Sequence, residues 1–286
     1  MKHEHFQRIA VIGLGLIGGS LVQSLRRVLP ERKLLGVDFP EVLQRARAFL
    51  DEAYPPANLP QAVAQADLIF LATPVGAILN LLPAIARAAK PGAVVTDVGS
   101  TKQEIVKRAH EHFTDDRFFI GAHPMAGLEK AGWENAQPNL FKGAVYVLTP
   151  SPQLPSAPLE ALKDLLTELG ARVLLLDAEE HDRVAAEISH LPQLLAVALT
   201  NFIAREGVAS APRLQMAAGG FRDMTRIAAS PYNIWRDILR ANHANVRQAL
   251  QEFLLALQQL AQDLDREELE ATFHHAQELR QKLLRL

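Results

Sequence analysis

The sequence predicts an α/β domain with a doubly wound parallel sheet over residues 1–177, followed by an all-α domain over residues 178–286. Short apolar runs alternate with helical patterns through the first half, which is typical of parallel strands joined by helices. The first apolar run ends in a glycine-rich turn, Gly13-Leu-Gly15-Leu-Ile-Gly18. After Asp177 no strand pattern occurs, and apolar residues recur at helical spacing.

Seven strands and five helices are predicted in the first domain. Most of the strands are nearly continuous apolar runs, as expected when both faces of a sheet are covered. A proline-rich stretch at 149–158 is interpreted as a loop within this domain, because a strand follows it. The predicted strands are 9–12, 34–38, 67–72, 93–97, 117–121, 145–148 and 172–176, and the predicted helices are 18–29, 41–50, 76–89, 102–112 and 157–169.

The predicted helical domain carries one long apolar stripe. Its members fall at helical spacing and would be buried either within the domain or against a second subunit. They are Ile234, Ile238, Val246, Leu250, Phe253, Leu257, Leu260 and Leu264.

Composition excludes several functional classes. The chain has 286 residues, a formal net charge of −2 and no cysteine, so thiolate chemistry and disulfides are excluded. The charge gives no reason to expect nucleic acid or a membrane surface as a partner. No signal peptide or membrane span is indicated and no metal site is predicted, so we expect a soluble, cytoplasmic protein.

The glycine-rich turn predicts a dinucleotide site. Gly13 permits the tight turn, Gly15 lets a pyrophosphate approach the backbone, and Gly18 lets the helix pack closely on the strand. The amides of Leu16 and Ile17 belong to the start of the following helix, where anionic groups are favoured.

Asp38 ends the second predicted strand, 20 residues after Gly18. A carboxylate at this place accepts hydrogen bonds from the adenosine ribose hydroxyls. A 2′-phosphate would meet a like charge, so the sequence favours NAD over NADP. The alternative is a simple strand-to-helix turn with an unrelated aspartate.

Two further segments follow predicted strands at the same edge of the sheet. Thr73-Pro74 ends the third strand, and Ser100-Thr101 follows the fourth. Ligands bind at the carboxyl edge in this architecture, so both segments are predicted to contact the cofactor. Ser100 or Thr101 is also a candidate N-cap of the next helix, a role compatible with binding.

His123 closes the fifth predicted strand, between Gly121 and Gly127. A neutral histidine accepts a proton from a hydroxyl during hydride removal, and its pKa suits that role near pH 7. We therefore predict that His123 is a catalytic base, the alternative being a packing role.

Several motifs in order across both domains resemble the prephenate dehydrogenase family, which includes the arogenate and cyclohexadienyl dehydrogenases of tyrosine biosynthesis. They are GLGLIGGS, DVGSTK, GAHPMAG, His181-Asp182, ISHLP and GGFRDMTRIA. The resemblance implies oxidative decarboxylation: hydride passes from the alcohol-bearing ring carbon of prephenate to NAD⁺, and loss of CO₂ gives 4-hydroxyphenylpyruvate. It also implies a homodimer formed through the helical domain.

The resemblance implies roles for three residues around the reacting centre. His123 would polarise or deprotonate the ring hydroxyl, and Ser100 would orient both that hydroxyl and His123. Arg226 would bind a substrate carboxylate, for which a guanidinium is suited geometrically. The alternative for Arg226 is a surface or helix-capping arginine.

The remaining family positions concern binding. His190 would face the cleft and position substrate, Trp235 would line the pocket, and Arg222-Asp223 would reach toward the partner's active site. The alternatives are a satisfied helix histidine, a core tryptophan and a plain interfacial ion pair. We interpret His181-Asp182 as the start of the helical domain, with Asp182 in the first helical turn.

Gln193 departs from the family pattern. Many prephenate-selective relatives read HLPH where this chain reads His190-Leu-Pro-Gln193. Glutamine is neutral and cannot supply positive charge to a pyruvyl carboxylate, so the choice between prephenate and arogenate stays open. No regulatory domain follows in the sequence, so any feedback by tyrosine is expected to act at or near the active site.

Two other functions compete with this interpretation. β-Hydroxyacid dehydrogenases use a lysine of the helical domain, but residues 177–221 contain none. An NAD-sensing protein without catalysis would need the glycine-rich turn, but would give no reason for Ser100, His123 and Arg226 together.

Overall fold

The structure is a computed structural model of the chain, and it describes residues 5–113, 116–127, 130–204, 213, 215–264 and 269–284. Within these residues an eight-stranded sheet with helices on both faces is followed by a helical domain. The predicted fold class is confirmed.

The sheet has the strand order β3-β2-β1-β4-β5-β6-β7-β8. Neighbouring strands are parallel except for the antiparallel pair β6–β7. The order reverses between β1 and β4, and such a reversal opens a crevice at the carboxyl edge. The strands are β1 Arg8–Ile12, β2 Lys33–Val37, β3 Glu52–Tyr54, β4 Leu68–Leu71, β5 Val94–Asp97, β6 Phe118–Pro124, β7 Val145–Thr149 and β8 Arg172–Leu175.

Six helices pack on the sheet, and the rest form the second domain. The first six are α1 Leu16–Val28, α2 Pro40–Ala46, α3 Leu59–Gln65, α4 Val75–Ala88, α5 Gln103–His110 and α6 Ser156–Glu168. The second domain contains α7 Ala178–Ala185, a π-helical turn Ala186–His190, α8 Leu191–Ile203, α9 Gly219–Thr225, α10 Tyr232–Ala241, α11 His243–Asp263 and α12 Leu269–Leu283, with a 3₁₀ turn Arg226–Ala229 between α9 and α10.

Two apolar clusters cover the two faces of the sheet. One contains Leu21 and Leu25 of α1, and the other contains Ile78 and Leu82 of α4. The central strands contribute buried side chains to both clusters, which explains their continuous apolar sequence. Both faces of the sheet are therefore covered by apolar residues, and its carboxyl edge is left to the loops that carry polar residues.

Two small elements, β3 and α3, were not predicted. The first has three residues and the second has seven, which is shorter than the window of about 11–18 residues over which a hydrophobic pattern is read. The proline-rich stretch lies between β7 and α6, and β8 returns to pair with β7. It is therefore a loop within the first domain, as predicted.

The apolar stripe of the second domain does not lie on one helix. The chain breaks at Asn242, whose backbone angles are φ −113° and ψ 26°, between α10 and α11. Ile238 and Val246 on either side of this break are buried, whereas Leu257 is 44% and Leu264 66% exposed. Half of the stripe is thus covered within the chain. Among the described residues, no helix has the length and apolar character needed to cross a membrane.

Candidate active site

The glycine-rich turn has the geometry of a dinucleotide site. Gly13 has φ +89°, and a Cβ there would lie 2.6 Å from the Ala72 carbonyl oxygen. A Cβ at Gly18 would lie 1.8 Å from the carbonyl oxygen of Gly13. A Cβ at Gly15 would meet no atom within 4 Å. Two glycines therefore hold the turn together, while the third faces open space at the N-terminus of α1.

The side chain of Asp38 is hydrogen-bonded to this turn. Its Oδ2 accepts a hydrogen bond from the Leu14 amide at 2.5 Å, and its Oδ1 accepts one from the Phe39 amide at 2.7 Å. Leu16 and Ile17 form the first turn of α1 beside it. The carboxylate and the amides thus lie together at the carboxyl edge, as predicted.

The other predicted cofactor contacts border the same edge. Pro74 is the N-cap residue of α4 and is exposed. Among the described residues, the hydroxyls of Thr73 and Thr101 are buried and have no hydrogen-bond partner. Thr73 is partly exposed, so a polar ligand at this edge would pair its hydroxyl, whereas Thr101 is fully buried.

A cavity of about 370 Å³ lies between the end of β6 and the helical domain. The sheet side contributes Ser100 and His123, and the helical side contributes His190 and Trp235. Four of the predicted site residues thus meet at one cavity. The other lining residues are Pro124, Met125, Ala126, Gly127, Ile188, Ser189, Ser230, Pro231, Ile234 and Ile238.

The register of the sheet positions His123. The neighbouring strand β5 pairs with β6 only as far as Ile120. Beyond that point β6 pairs with β7 alone, and His123 lies opposite Val147. Strand pairing therefore holds the end of β6 from the β7 side alone, and on the β5 side the Asp97 side chain accepts a hydrogen bond from the Ala122 amide.

His123 contacts a second buried histidine from the helical domain. Its Nδ1 lies 2.9 Å from Nε2 of His181, and Nδ1 of His181 lies 2.8 Å from Oδ1 of Asp182. The side chains of His123, His181 and Asp182 are 7%, 2% and 1% exposed. A hydrogen-bonded chain therefore runs from the cavity into the interior and joins the two domains.

Asp182 also caps α5. Its Oδ1 accepts from the Lys102 amide at 2.6 Å, and its Oδ2 accepts from the Gln103 amide at 2.9 Å. Neither Ser100 nor Thr101 is the N-cap residue of this helix, which begins at Gln103. The capping role considered for them belongs to Asp182, which lies 80 residues after Lys102 in the sequence.

His181-Asp182 lies in α7, the first helix of the second domain, but the placement of Asp182 in the first helical turn was wrong. The first turn of α7 is supplied by Glu179 and Glu180, and Asp177 caps it through a hydrogen bond from the Glu180 amide at 2.8 Å. Asp182 follows that turn and is buried against the first domain. Sequence reasoning missed the pair because its partners are distant in the chain and its burial is visible only in the structure.

A buried ion pair lies below the cavity. Lys102 Nζ contacts Asp97 Oδ2, and both side chains are fully buried. Asp97 also accepts hydrogen bonds from the amides of Gly99 and Ala122, at 2.8 and 2.9 Å. This carboxylate therefore links the Ser100 loop to the strand that carries His123. Neither Lys102 nor Asp97 was predicted as a site residue.

The pKa values of these groups follow from burial. Burial holds the pKa of His123 well below its usual range, and nearby His181, Lys102 and His190 add to the effect. Burial also lowers the pKa of Lys102, although Asp97 and Asp182 oppose this. His123 is therefore neutral near pH 7, the form that accepts a proton.

His190 is held from two sides. Its Nδ1 lies 3.2 Å from Nδ2 of Asn242, which also donates to the Asp182 carbonyl at 2.6 Å. Its ring meets Trp235 edge-on, with centroids 5.9 Å apart. Burial lowers the pKa of His190 to about 4. Its Nε2 is buried without a partner among the described residues, so a ligand that accepts a hydrogen bond would satisfy it.

Four predicted residues are not brought to the cavity in the single chain. Arg226 begins the 3₁₀ turn after α9 and is exposed, as are Arg222 and Asp223 on α9 itself. Gln193 is buried in the first turn of α8. None of the four is among the residues that line the cavity.

Comparisons with known proteins cover nearly the whole chain. Residues 21–175 match the family model for the nucleotide-binding domain of prephenate dehydrogenase, and residues 177–278 match the one for its dimerization domain. The prephenate dehydrogenase of Lactococcus lactis is 37% identical over 277 residues, which are 95% of this chain and 75% of that protein.

Two solved structures share the complete fold. Prephenate dehydrogenase from A. aeolicus, solved with hydroxyphenyl propionate and NAD⁺, has a TM-score of 0.89 and 31% identity, covering 97% of this chain and 98% of that one. Synechocystis arogenate dehydrogenase has a TM-score of 0.81 and 33% identity, covering 96% and 99%. The structural likeness therefore extends over both domains.

Proposed function

The chain belongs to the prephenate dehydrogenase family, and from this premise we propose that it catalyses the NAD-dependent oxidative decarboxylation of prephenate to 4-hydroxyphenylpyruvate. The observation that carries the proposal is the cavity in which His123, Ser100 and His190 meet beside the predicted dinucleotide site. A dinucleotide-binding protein without catalysis gives no reason for a buried neutral histidine at that place.

His123 is the general base of the proposed reaction. It takes the proton of the ring hydroxyl as hydride leaves the same carbon, and cleavage of the bond to the ring carboxylate releases CO₂. Ser100 borders the same cavity and orients the hydroxyl toward His123. The low pKa of His123 keeps its proton-accepting nitrogen free at neutral pH.

The residues at the carboxyl edge fit NAD⁺. The open space at Gly15 admits a pyrophosphate, and the amides of Leu16 and Ile17 supply donors for it. Asp38 accepts the ribose hydroxyls and disfavours a 2′-phosphate. NAD⁺ supplies the hydride acceptor of the reaction.

The helical domain recognises the substrate. The Nε2 hydrogen of His190 is an unpaired donor beside the cavity, and Trp235 forms an apolar wall next to it. Arg226 binds a substrate carboxylate when the site is assembled, with Arg222 and Asp223 completing the site of the partner subunit.

Arogenate is the second candidate substrate, because Gln193 departs from the HLPH pattern of prephenate-selective relatives and leaves the choice between the two compounds open. A neutral amide at this position offers no positive charge to a pyruvyl carboxylate, and arogenate has an amino acid in place of the pyruvyl group. Known relatives with this fold act on either compound by name.

We also propose a homodimer formed through α11 and α12. These helices leave large apolar side chains exposed in the single chain, among them Leu257, Leu264 and Phe273. Exposed apolar surface of this extent marks an association surface. Size-exclusion chromatography with light scattering tests this, and a monomer at micromolar concentration would refute it.

The function is tested by steady-state assays of prephenate and arogenate, each with NAD⁺ and NADP⁺. We expect NADH formation with at least one substrate and a lower kcat/KM with NADP⁺. Reduction of neither nicotinamide by either substrate would refute the proposal. A higher kcat/KM for arogenate would assign the second candidate.

A further inference from the structure

His123, His181 and Asp182 form a single hydrogen-bonded chain whose direction follows from its buried end. Asp182 accepts hydrogen bonds from the amides of Lys102 and Gln103, so its carboxylate acts as an ionised acceptor. The neighbouring Nδ1 of His181 must therefore donate to it.

The tautomer of His123 follows from that of His181. A neutral His181 that donates from Nδ1 has a lone pair on Nε2, which accepts the hydrogen on Nδ1 of His123 at 2.9 Å. This leaves the lone pair of His123 on Nε2, the nitrogen not engaged by His181. The hydrogen-bond network thus assigns the base nitrogen of a residue that lines the cavity.

We propose that His181 is a positioning residue that fixes His123 in the Nδ1–H tautomer and receives that hydrogen during the reaction; this rests on the proposed function. The substrate hydroxyl gives its proton to Nε2 of His123, and the Nδ1 proton of His123 passes to Nε2 of His181. His123 is neutral again after the step, and the positive charge lies on His181 beside Asp182. The hydride of the same carbon goes to NAD⁺, as in the proposed reaction, so the proton transfers need no further reactant.

The surrounding charges favour this placement. The charged and titratable groups around the two histidines are Lys102, His190 and Asp182, and Asp97 pairs with Lys102. Lys102 and His190 lie near His123, and burial lowers the pKa of His123, so a positive charge on its ring is costly. His181, unlike His123, is in direct contact with the carboxylate of Asp182. The positive charge is therefore more stable on His181 than on His123.

The first test needs no catalysis. The free protein, labelled with ¹⁵N-histidine, is studied by NMR near pH 8, and His123 is assigned by difference with His123→Asn. We expect a neutral ring protonated at Nδ1 in the wild type and in His181→Gln, whose amide oxygen accepts the same hydrogen. His181→Leu should give a mixture of tautomers. A wild-type ring protonated at Nε2 would overturn the proposal.

The second test is the pH profile of kcat with the better of the two substrates. Glutamine accepts a hydrogen bond but takes no proton, so we expect His181→Gln to lower the plateau of kcat by roughly 10–100-fold, with substrate KM changed less than about threefold. The acid limb should move to lower pH by about one unit, because the charge must remain on His123. A merely structural role would not move this limb.

Two comparisons keep the result interpretable. His243→Gln changes an exposed histidine at the start of α11 and should match the wild type in kcat and in pH profile. An unchanged kcat and acid limb in both His181 variants, with wild-type thermal midpoints, would overturn the relay. A protein that holds the expected tautomer but oxidises neither substrate would instead reject the proposed function.

Discussion

Replacing Asp182 with alanine tests the contact between the two domains. The carboxylate accepts three hydrogen bonds of 2.6–2.9 Å, from the amides of Lys102 and Gln103 and from His181. Alanine leaves all three donors buried without an acceptor. A hydrogen bond to a charged group contributes about 1.5–3 kcal/mol, and water entering the vacated space recovers part of it. We expect a loss of about 3–5 kcal/mol in the free energy of unfolding.

Asp177→Ala is the matched control. This aspartate caps α7 through one hydrogen bond and is exposed, so its loss should be about 1 kcal/mol. Urea unfolding followed by far-UV circular dichroism measures both variants. Asp182→Asn keeps an oxygen acceptor and should lose about 1–2 kcal/mol, which provides a measurement if the alanine variant does not fold. Equal losses in Asp182→Ala and Asp177→Ala would refute the assignment of Asp182 as a link between domains.

The other predictions address the site. His123→Asn should lower kcat by ~10²–10⁴-fold and leave NAD⁺ affinity, measured by fluorescence titration, nearly unchanged; a near-wild-type kcat would contradict its role as base. Arg226→Ala should mainly raise substrate KM, and an unchanged KM would exclude a carboxylate contact. Gly15→Ala should weaken NAD⁺ binding at an unchanged thermal midpoint, whereas Gly18→Ala should lower the midpoint because its Cβ overlaps the Gly13 carbonyl. His190 has a pKa near 4 when folded, against 6.5 when unfolded, so the unfolded state binds the extra proton between these values. Stability should therefore fall by up to about 3 kcal/mol as pH drops from 6.5 to 4, and less in His190→Gln.

Much of the nucleotide domain was predictable because its signals are local. The apolar strands and the turn around Gly13 and Gly18 each depend on a few consecutive residues, and the structure reproduces them. The strand β3 and the helix α3 escaped prediction because they are shorter than the pattern that would identify them. The break at Asn242 escaped it because hydrophobic spacing continues across the two helices.

The candidate site divides in the same way. His123 and Ser100 could be inferred, since the carboxyl ends of parallel strands converge. His181 and Asp182 could not, because their partners lie 58 and 80 residues away and depend on how the helical domain meets the sheet. The burial of Lys102 was not predicted, because lysine side chains are ordinarily exposed.

The two walls of the cavity come from different domains, and the pairing of the end of β6 with β7 belongs to only one of them. His123 is anchored by its register with β7, on the sheet, whereas His190 and Trp235 belong to the helical domain. Because the helical domain contacts the His123 side chain through His181, we expect substitutions of His190 or Trp235, but not of His181, to alter which molecule is accepted while His123 stays in place. Related enzymes with this arrangement can therefore evolve to accept new substrates while they keep the same reaction.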